Sequence, residues 1–355
     1  MPDHFAALQQ VLRGRAMKGG LCCFGEVLLR LAAPAPERLL QSARLAVQVG
    51  GAEANVAAAL AQFGHQVHML GTLADNVLGQ HALEELRRVG VDTTRLQRGA
   101  GRMGLYFFEQ GSMRRASEVH YDRADSAFAR ARAADYDWPT LLQGATRLHL
   151  SGVTPALGAE CAHTAIAAVQ AACAAGLKVS FDGNFRGRLW QLWGGDAATL
   201  LRPLMAAADV LFANHRDIAL VLGGDFQGLS ARQAFRAAAE VAFAAFPRLQ
   251  CLVATTRQAE GVQQQELGAL LALRDGSLLE AAPYVLDGIV DRIGAGDAFA
   301  AGFLHGLHSH MDTQAALDFA LASGAFKHTV LGDFLRASPA EIEAWRKAEG
   351  ADVKR

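Results

Sequence analysis

The stretch Asp291-Arg292-Ile293-Gly294-Ala295-Gly296-Asp297-Ala298-Phe299 runs directly into Ala300-Ala301-Gly302-Phe303-Leu304-His305-Gly306, a long run of helical character. Two glycines at the start of a helix let a ligand approach the backbone. They also leave the first amide N–H groups free, where the helix dipole favours an anion. Phosphate suits such a place. Asp297, in the first turn, can take a proton from a hydroxyl while Gly294, Ala295 and Gly296 present their backbone to a transferring phosphoryl group. Taken alone, the same residues read equally well as a tight turn followed by a favourable helix-terminal charge, because a short glycine-rich motif is weak evidence.

A second glycine pair opens Gly50-Gly51-Ala52-Glu53-Ala54-Asn55-Val56-Ala57, again before an apolar helix. Its amides can meet a polyol, and Asn55, one turn in, offers both a donor and an acceptor. A plain turn with Glu53 complementing the helix dipole accounts for this fragment equally well in isolation.

Elements of α/β type must position these two segments. Runs of strand character at 21–31, 66–72, 146–152, 177–183, 209–214 and 249–256 alternate with helical stretches at about 53–63, 76–89, 158–175, 196–207 and 229–245. That is the pattern of a parallel sheet covered by helices on both faces. Residues 102–123 break it: they read as two strands joined by a turn at Gly111-Ser112, with no helix between, which predicts a small β lid. Residues 26–36, the second half of the first strand segment, are expected to leave the central sheet and join that lid. The sequence has no internal repeat and no low-complexity linker.

Composition narrows the function. Over 355 residues, 34 Lys plus Arg nearly cancel 35 Asp plus Glu, so no global field favours nucleic acid, and any anion site must be local. A chain of this length that is 51% hydrophobic supports one large α/β core or two ordinary domains. Cys22, Cys23, Cys161, Cys173 and Cys251 are scattered through apolar stretches and read as buried free thiols of a reducing compartment. Without a signal-like or membrane-spanning apolar run, the expectation is a cytoplasmic protein with no membrane or nucleic-acid partner. Residues 1–19 read as an N-terminal tail, 20–340 as one domain, and 341–355 as a C-terminal tail or helix end.

The early Gly-Gly segment, the late Gly-Ala-Gly-Asp segment and the βα alternation between them resemble the ribokinase-like (PfkB) carbohydrate kinases over about residues 20–335. The resemblance implies a three-layer α/β/α core with a mostly parallel central sheet and a small inserted β-sheet lid. It also implies a sugar between lid and sheet, ATP across the sheet's carboxyl edge, and Mg2+ with the phosphates. A finer resemblance is to 2-keto-3-deoxygluconate kinases. It is carried by Gly104-Leu105-Tyr106, Tyr121-Asp122-Arg123-Ala124-Asp125-Ser126-Ala127, the segment 148–155, Asp182-Gly183-Asn184-Phe185-Arg186 and Leu189-Trp190. Carried over, it places Gly50, Gly51, Asn55, Tyr106, Tyr121, Arg123 and Asp333 in the sugar pocket. Arg186 then stands at the junction of sugar and nucleotide, and Asn184 on the nucleotide side. A sugar acid needs a cation, which Arg123 and Arg186 would supply.

Two segments depart from the family pattern. Asn214-His215-Arg216-Asp217 stands where many relatives have Asn-x-x-Glu, so Asp217 reaches Mg2+ only through water. Where relatives have a glycine-rich turn, this chain has Ala254-Thr255-Thr256-Arg257, whose Thr255, Thr256 and Arg257 are candidates for phosphate or ribose, with Asn214 nearby. The expected reaction is phosphorylation of 2-keto-3-deoxygluconate at its carbon-6 hydroxyl with Asp297 as base. The alternatives are a kinase of fructose, ribose or another deoxy sugar acid, and a non-catalytic sugar-binding regulator. A dinucleotide-dependent oxidoreductase is disfavoured because no G-x-G-x-x-G turn follows the first strand. An apolar lid face would support a homo-oligomer through the lid.

Overall fold

The computed structural model describes residues 19–259, 261–262 and 264–347; most of the expected N-terminal tail and the last residues of the chain lie outside them. The described strands are β1 (Gly20–Phe24), β2 (Leu28–Ala32), β3 (Ala46–Gly50), β4 (Val67–Ala74), β5 (Leu96–Gly99), β6 (Gly104–Glu109), β7 (Glu118–Asp122), β8 (Ala145–Ser151), β9 (Lys178–Asp182), β10 (Val210–Phe212), β11 (Cys251–Ala259), β12 (Gln264–Leu273) and β13 (Leu278–Asp287). Nine form one sheet in the order β13-β12-β11-β10-β9-β8-β1-β4-β5. It is parallel from β11 to β5 and antiparallel across β11, β12 and β13.

Side-chain alternation divides the central strands between two cores. Leu21 and Cys23 of β1 face one apolar cluster while Cys22 and Phe24 face the other. In β10, Val210 and Phe212 oppose Leu211, and in β11 Cys251 and Val253 oppose Leu252 and Ala254. Both faces of the sheet are therefore dry and helix-covered, which explains why the strands read as continuous apolar runs. All five cysteines are free thiols, and burial pushes the Cys251 thiol up to about 12.

The helices Ala52–Gln62, Val77–Arg88, Ala159–Ala174, Ala197–Ala207 and Ala231–Ala245 fall where the periodicity places them. Local chemistry sets several starts: Asn76 accepts from the amides of Leu78 and Gly79, Asp196 accepts from Thr199, and Ser230 forms a capping box with Gln233. No described helix is long and apolar enough to cross a membrane.

The second sheet is the lid, in the order β3-β2-β6-β7. The chain leaves the central sheet after Phe24 and re-enters pairing as β2, parallel to β6 and antiparallel to β3. Arg30, Tyr106 and Tyr121 are register partners across β2, β6 and β7, so the three share one lid face. Strands β3 and β5 were absent from the sequence reading, as was the β12–β13 hairpin that extends the sheet where the chain was expected to turn after residue 256.

Candidate active site

Under the lid, at the carboxyl ends of β9 and β10, lies a cavity of about 650 Å³. This is where open α/β sheets place ligands. The helix Ala295–His308 points its N-terminus into it; Gly294, at φ 81°, ψ −1°, is the N-cap, and no side chain caps the first turn. A Cβ on Gly294 would sit 2.1 Å from the carbonyl oxygen of Asp333, so position 294 excludes other residues on both backbone and steric grounds. Gly294→Ala is expected to lower turnover by about tenfold or more through displacement of these amides. Steady-state kinetics beside thermal denaturation checks it, and unchanged turnover would detach this turn from the chemistry.

Asp297 is buried on the cavity wall and accepts a 2.7 Å hydrogen bond at Oδ2 from Asn55 Nδ2, from the helix that follows the early glycine pair. Two segments 242 residues apart thus meet at one carboxylate. Burial pushes the Asp297 carboxyl up to about 7, with the hydrogen bond from Asn55 and the Arg186 charge pulling the other way. Asn55 Oδ1 is buried without a protein partner, which leaves an acceptor for a ligand hydroxyl.

The residues expected to meet the sugar come together at this same cavity, with one exception. Gly51, Asn55, Tyr106, Tyr121, Arg123 and Asp333 all line the cavity, but Gly50 does not. A Cβ at Gly50 would lie 2.2 Å from Asp333 Oδ2, so Gly50 makes room for that carboxylate rather than touching a ligand. Asp333 accepts from Tyr106 Oη at 2.8 Å and from Arg30 Nη1 at 3.0 Å. Arg123, itself buried, directs its Nε to Glu26 Oε2 at 2.7 Å, and Ser126 also donates to Glu26.

Of the residues expected on the nucleotide side or near its metal, Asn184, Arg186, Asn214, Asp217, Thr255 and Arg257 line the cavity and Thr256 does not. The correction is one of strand parity. Because β11 continues to Ala259, Thr255 and Arg257 share a face, and Thr256 points the other way, its Oγ1 filling the space a Cβ on Gly268 would take. Asn214 and Asp217 form a capping box, Asn214 Oδ1 accepting from the Arg216 amide and Asp217 Oδ2 from the Asn214 amide. Asp182, at the end of β9, is a carboxylate whose role the sequence did not indicate. Burial, then the charges of Asp297 and Asp217, push it up to about 8.

A cavity that joins an uncapped helix N-terminus, an adjacent buried carboxylate and hydrogen-bonding side chains fits phosphoryl transfer to an alcohol, and the sequence profile of the "pfkB family carbohydrate kinase" matches residues 18–340. The chain belongs to the pfkB family of carbohydrate kinases. Among relatives of this pfkB kinase is a 2-dehydro-3-deoxygalactonokinase of Haloferax volcanii, 33% identical over 96% of this chain and 100% of its own length. The crystal structure of a 2-dehydro-3-deoxygluconokinase from Thermotoga maritima superposes with a TM-score of 0.87 at 38% identity, over 93% of this chain and 100% of the other. An Escherichia coli protein of ribokinase II type, solved with ATP and Mg2+, gives a TM-score of 0.77 at 18% identity over 92% and 98%, which speaks to the fold alone.

Membership makes this pfkB protein a sugar kinase and implies ATP as its donor. Its residues suit the Mg2+ that accompanies ATP. Asp182 and Asp217 present hard oxygen donors in a corner whose crowded negative charge a divalent cation would relieve. Among the described residues no group of three or more His, Cys, Asp or Glu side chains forms a metal cage. Two carboxylates at one corner of the cavity are a donor set that suits an ion completed by phosphate and water.

Proposed function

We propose that this kinase phosphorylates a 2-keto-3-deoxy sugar acid, with 2-keto-3-deoxygluconate as the acceptor and its 6-phosphate as the product. The observation that carries the reading is the placement of Arg123 and Arg186 on the same cavity as Asp297 and Asn55, so that cationic groups and a base address one ligand. A sugar carboxylate beside the phosphate chain of ATP would use both cations, Arg123 sharing its charge with Glu26, to which its Nε is bonded. The two relatives above, named for keto-deoxy sugar acids, support the same class.

In the proposed reaction the acceptor hydroxyl oxygen attacks the γ-phosphorus of ATP in line. The bond to the β–γ bridging oxygen breaks, ADP leaves, and Asp297 receives the hydroxyl proton. Amides of the 294–297 turn and Arg186 stabilise the phosphoryl oxygens. Asp182 and Asp217 would hold Mg2+, directly or through water, and the ion would supply further charge neutralisation on the phosphates. Asn55 orients the base, and the lid residues Tyr106 and Tyr121 cover the sugar and keep water away from the transferring group.

A second acceptor is favoured by a specific observation: the Haloferax relative is named for the galactose-type acid, which differs from the gluconate type in the configuration of one hydroxyl-bearing carbon. The test is ADP release with both keto-deoxy acids beside gluconate, fructose, ribose and adenosine, with ATP and Mg2+ present. Turnover confined to the keto-deoxy acids is expected. A preference for fructose or ribose would overturn the acid specificity, and acceptor binding without turnover would favour a non-catalytic regulator.

A further inference from the structure

Arg30 of β2 does not line the cavity, yet it joins the parts that do. It is 3% exposed, with its guanidinium 4.3 Å from the centre of the Phe108 ring. Its Nη1 donates to Asp291 Oδ2 at 2.7 Å and to Asp333 Oδ1 at 3.0 Å, while its Nε is buried without a partner. A buried guanidinium with one unsatisfied N–H, set against two buried carboxylates, is a poor device for stability alone, since a matched apolar set replacing all three side chains would pack at lower desolvation cost.

Its partners hold the catalytic turn. Asp291 Oδ1 accepts from the Ile293 amide at 3.0 Å and Oδ2 from the Gly332 amide at 3.1 Å, so this carboxylate fixes both the approach to Gly294 and the loop before Asp333. The amides of Val290 and Asp291 bond the His328 carbonyl, which ties the same two segments again, and within the later one Lys327 Nζ reaches the Val330 carbonyl at 2.9 Å. Gly294 packs on the Asp333 carbonyl. Two carboxylates, Asp291 and Asp333, thus share one lid-borne cation. Tyr106, the cross-strand neighbour of Arg30, reaches Asp333 Oδ2.

We propose that Arg30 is a positioning residue which, through Asp291, sets the 294–297 amides and, through Asp333, sets the sugar wall, so that both come into register only when β2 of the lid is seated. The inference rests on the proposed roles of Asp297 and Asp333.

Arg30→Gln and Tyr106→Phe separate the two arms. Tyr106 touches Asp333 and has no hydrogen bond to Asp291, so Tyr106→Phe is expected to raise the acceptor KM by a larger factor than it lowers kcat. Arg30→Gln is expected to raise the same KM and also to lower kcat by about tenfold or more, with Arg30→Lys recovering part of kcat. The acceptor used is whichever sugar turns over fastest, so a wrong assignment of the sugar leaves this comparison intact. Hydrogen exchange on the same variants reads the geometry without catalysis: in Arg30→Gln, the amides of Ile293 and Gly332 should exchange faster while the helix 159–174 keeps its protection. Should Arg30→Gln fail to fold, Asp291→Asn is expected to reproduce both the kcat loss and the faster exchange. A KM-only effect in Arg30→Gln, or exchange changes confined to β2 and β6, would overturn the proposal. If no sugar turns over at all, the functional reading fails and the exchange result alone decides the role of Arg30.

Discussion

Asp297→Asn is expected to lower kcat by roughly a hundredfold or more while the acceptor KM changes only a few-fold. Asparagine keeps the shape and can still accept the hydrogen bond from Asn55 Nδ2, so the acceptor wall stays in place; only the proton sink is gone. Near-normal turnover would remove Asp297 from the role of base. The same carboxyl predicts the pH profile. The base works when ionised, and burial holds Asp297 at about 7, so kcat/KM should rise between about pH 6 and pH 8. Asp182, at about 8, titrates beside it and shares the macroscopic midpoints. A flat profile over that range would mean that ligand binding, rather than the free carboxyl, governs the rate.

A stability change should accompany the activity loss. The folded-state pKa of Asp297 lies above the ordinary value of 3.8, so the folded state holds a proton that the unfolded chain releases. Its effect is absent below about pH 4. As pH rises towards 7 the folded state is progressively penalised, and above that the penalty is constant. The amide of an asparagine side chain carries no charge to desolvate, so Asp297→Asn is expected to be more stable than the parent at pH 8 by roughly 2–4 kcal/mol and nearly equal to it at about pH 4. Urea denaturation at the two pH values measures the difference, and a variant destabilised equally at both would show that desolvation of the carboxylate is not what the fold endures here. A catalytic group that costs stability is common in active sites.

How much of this was legible in the sequence follows from how local each signal is. The buried parallel strands announce themselves because both faces are apolar, and the glycine-led helix starts because amide geometry is a local property. Strand β3 was invisible: AVQVG has Val47 turned to solvent, 55% exposed, and only its last residues buried, so neither alternation nor a continuous apolar run appears. The β12–β13 hairpin was hidden for a different reason. Gln264–Leu273 is made largely of Gln, Glu, Ala and Leu, good helix formers that become strand only because β11 offers nine residues of ladder to pair with. The error at Thr256 follows from the same extension, since ending the strand early hid the parity that sorts 255, 256 and 257. The pairings of Arg30 with Asp291 and of Arg123 with Glu26 leave no trace in a single sequence, because partners 261 and 97 positions apart have no spacing rule.

The Glu26 pairing alters the test of acid specificity. In Arg123→Ala, Glu26, at 2% exposure, would lose its counter-ion and keep only Ser126 as a side-chain donor. Breaking a buried pair from one side typically costs about 3–5 kcal/mol, so the single variant is expected to be strongly destabilised whatever Arg123 does for the substrate. Its low activity would then say little. Removing both charges, as in Glu26→Gln with Arg123→Met, leaves no orphaned carboxylate and should restore most of the stability, because a matched neutral pair is often as stable as the ion pair it replaces. If Arg123 meets the acceptor's carboxylate, that double variant still lacks a charge-assisted hydrogen bond. It should lose roughly tenfold to a hundredfold in kcat/KM for the keto-deoxy acid, while any residual activity on a neutral sugar is spared. Denaturation midpoints and kcat/KM for one acid and one neutral acceptor, measured on the parent, the single and the double variant, separate the two contributions. Recovery of acid turnover together with stability would make Arg123 a structural partner of Glu26 and move the carboxylate contact to Arg186, the other cavity-lining arginine proposed to balance acceptor charge.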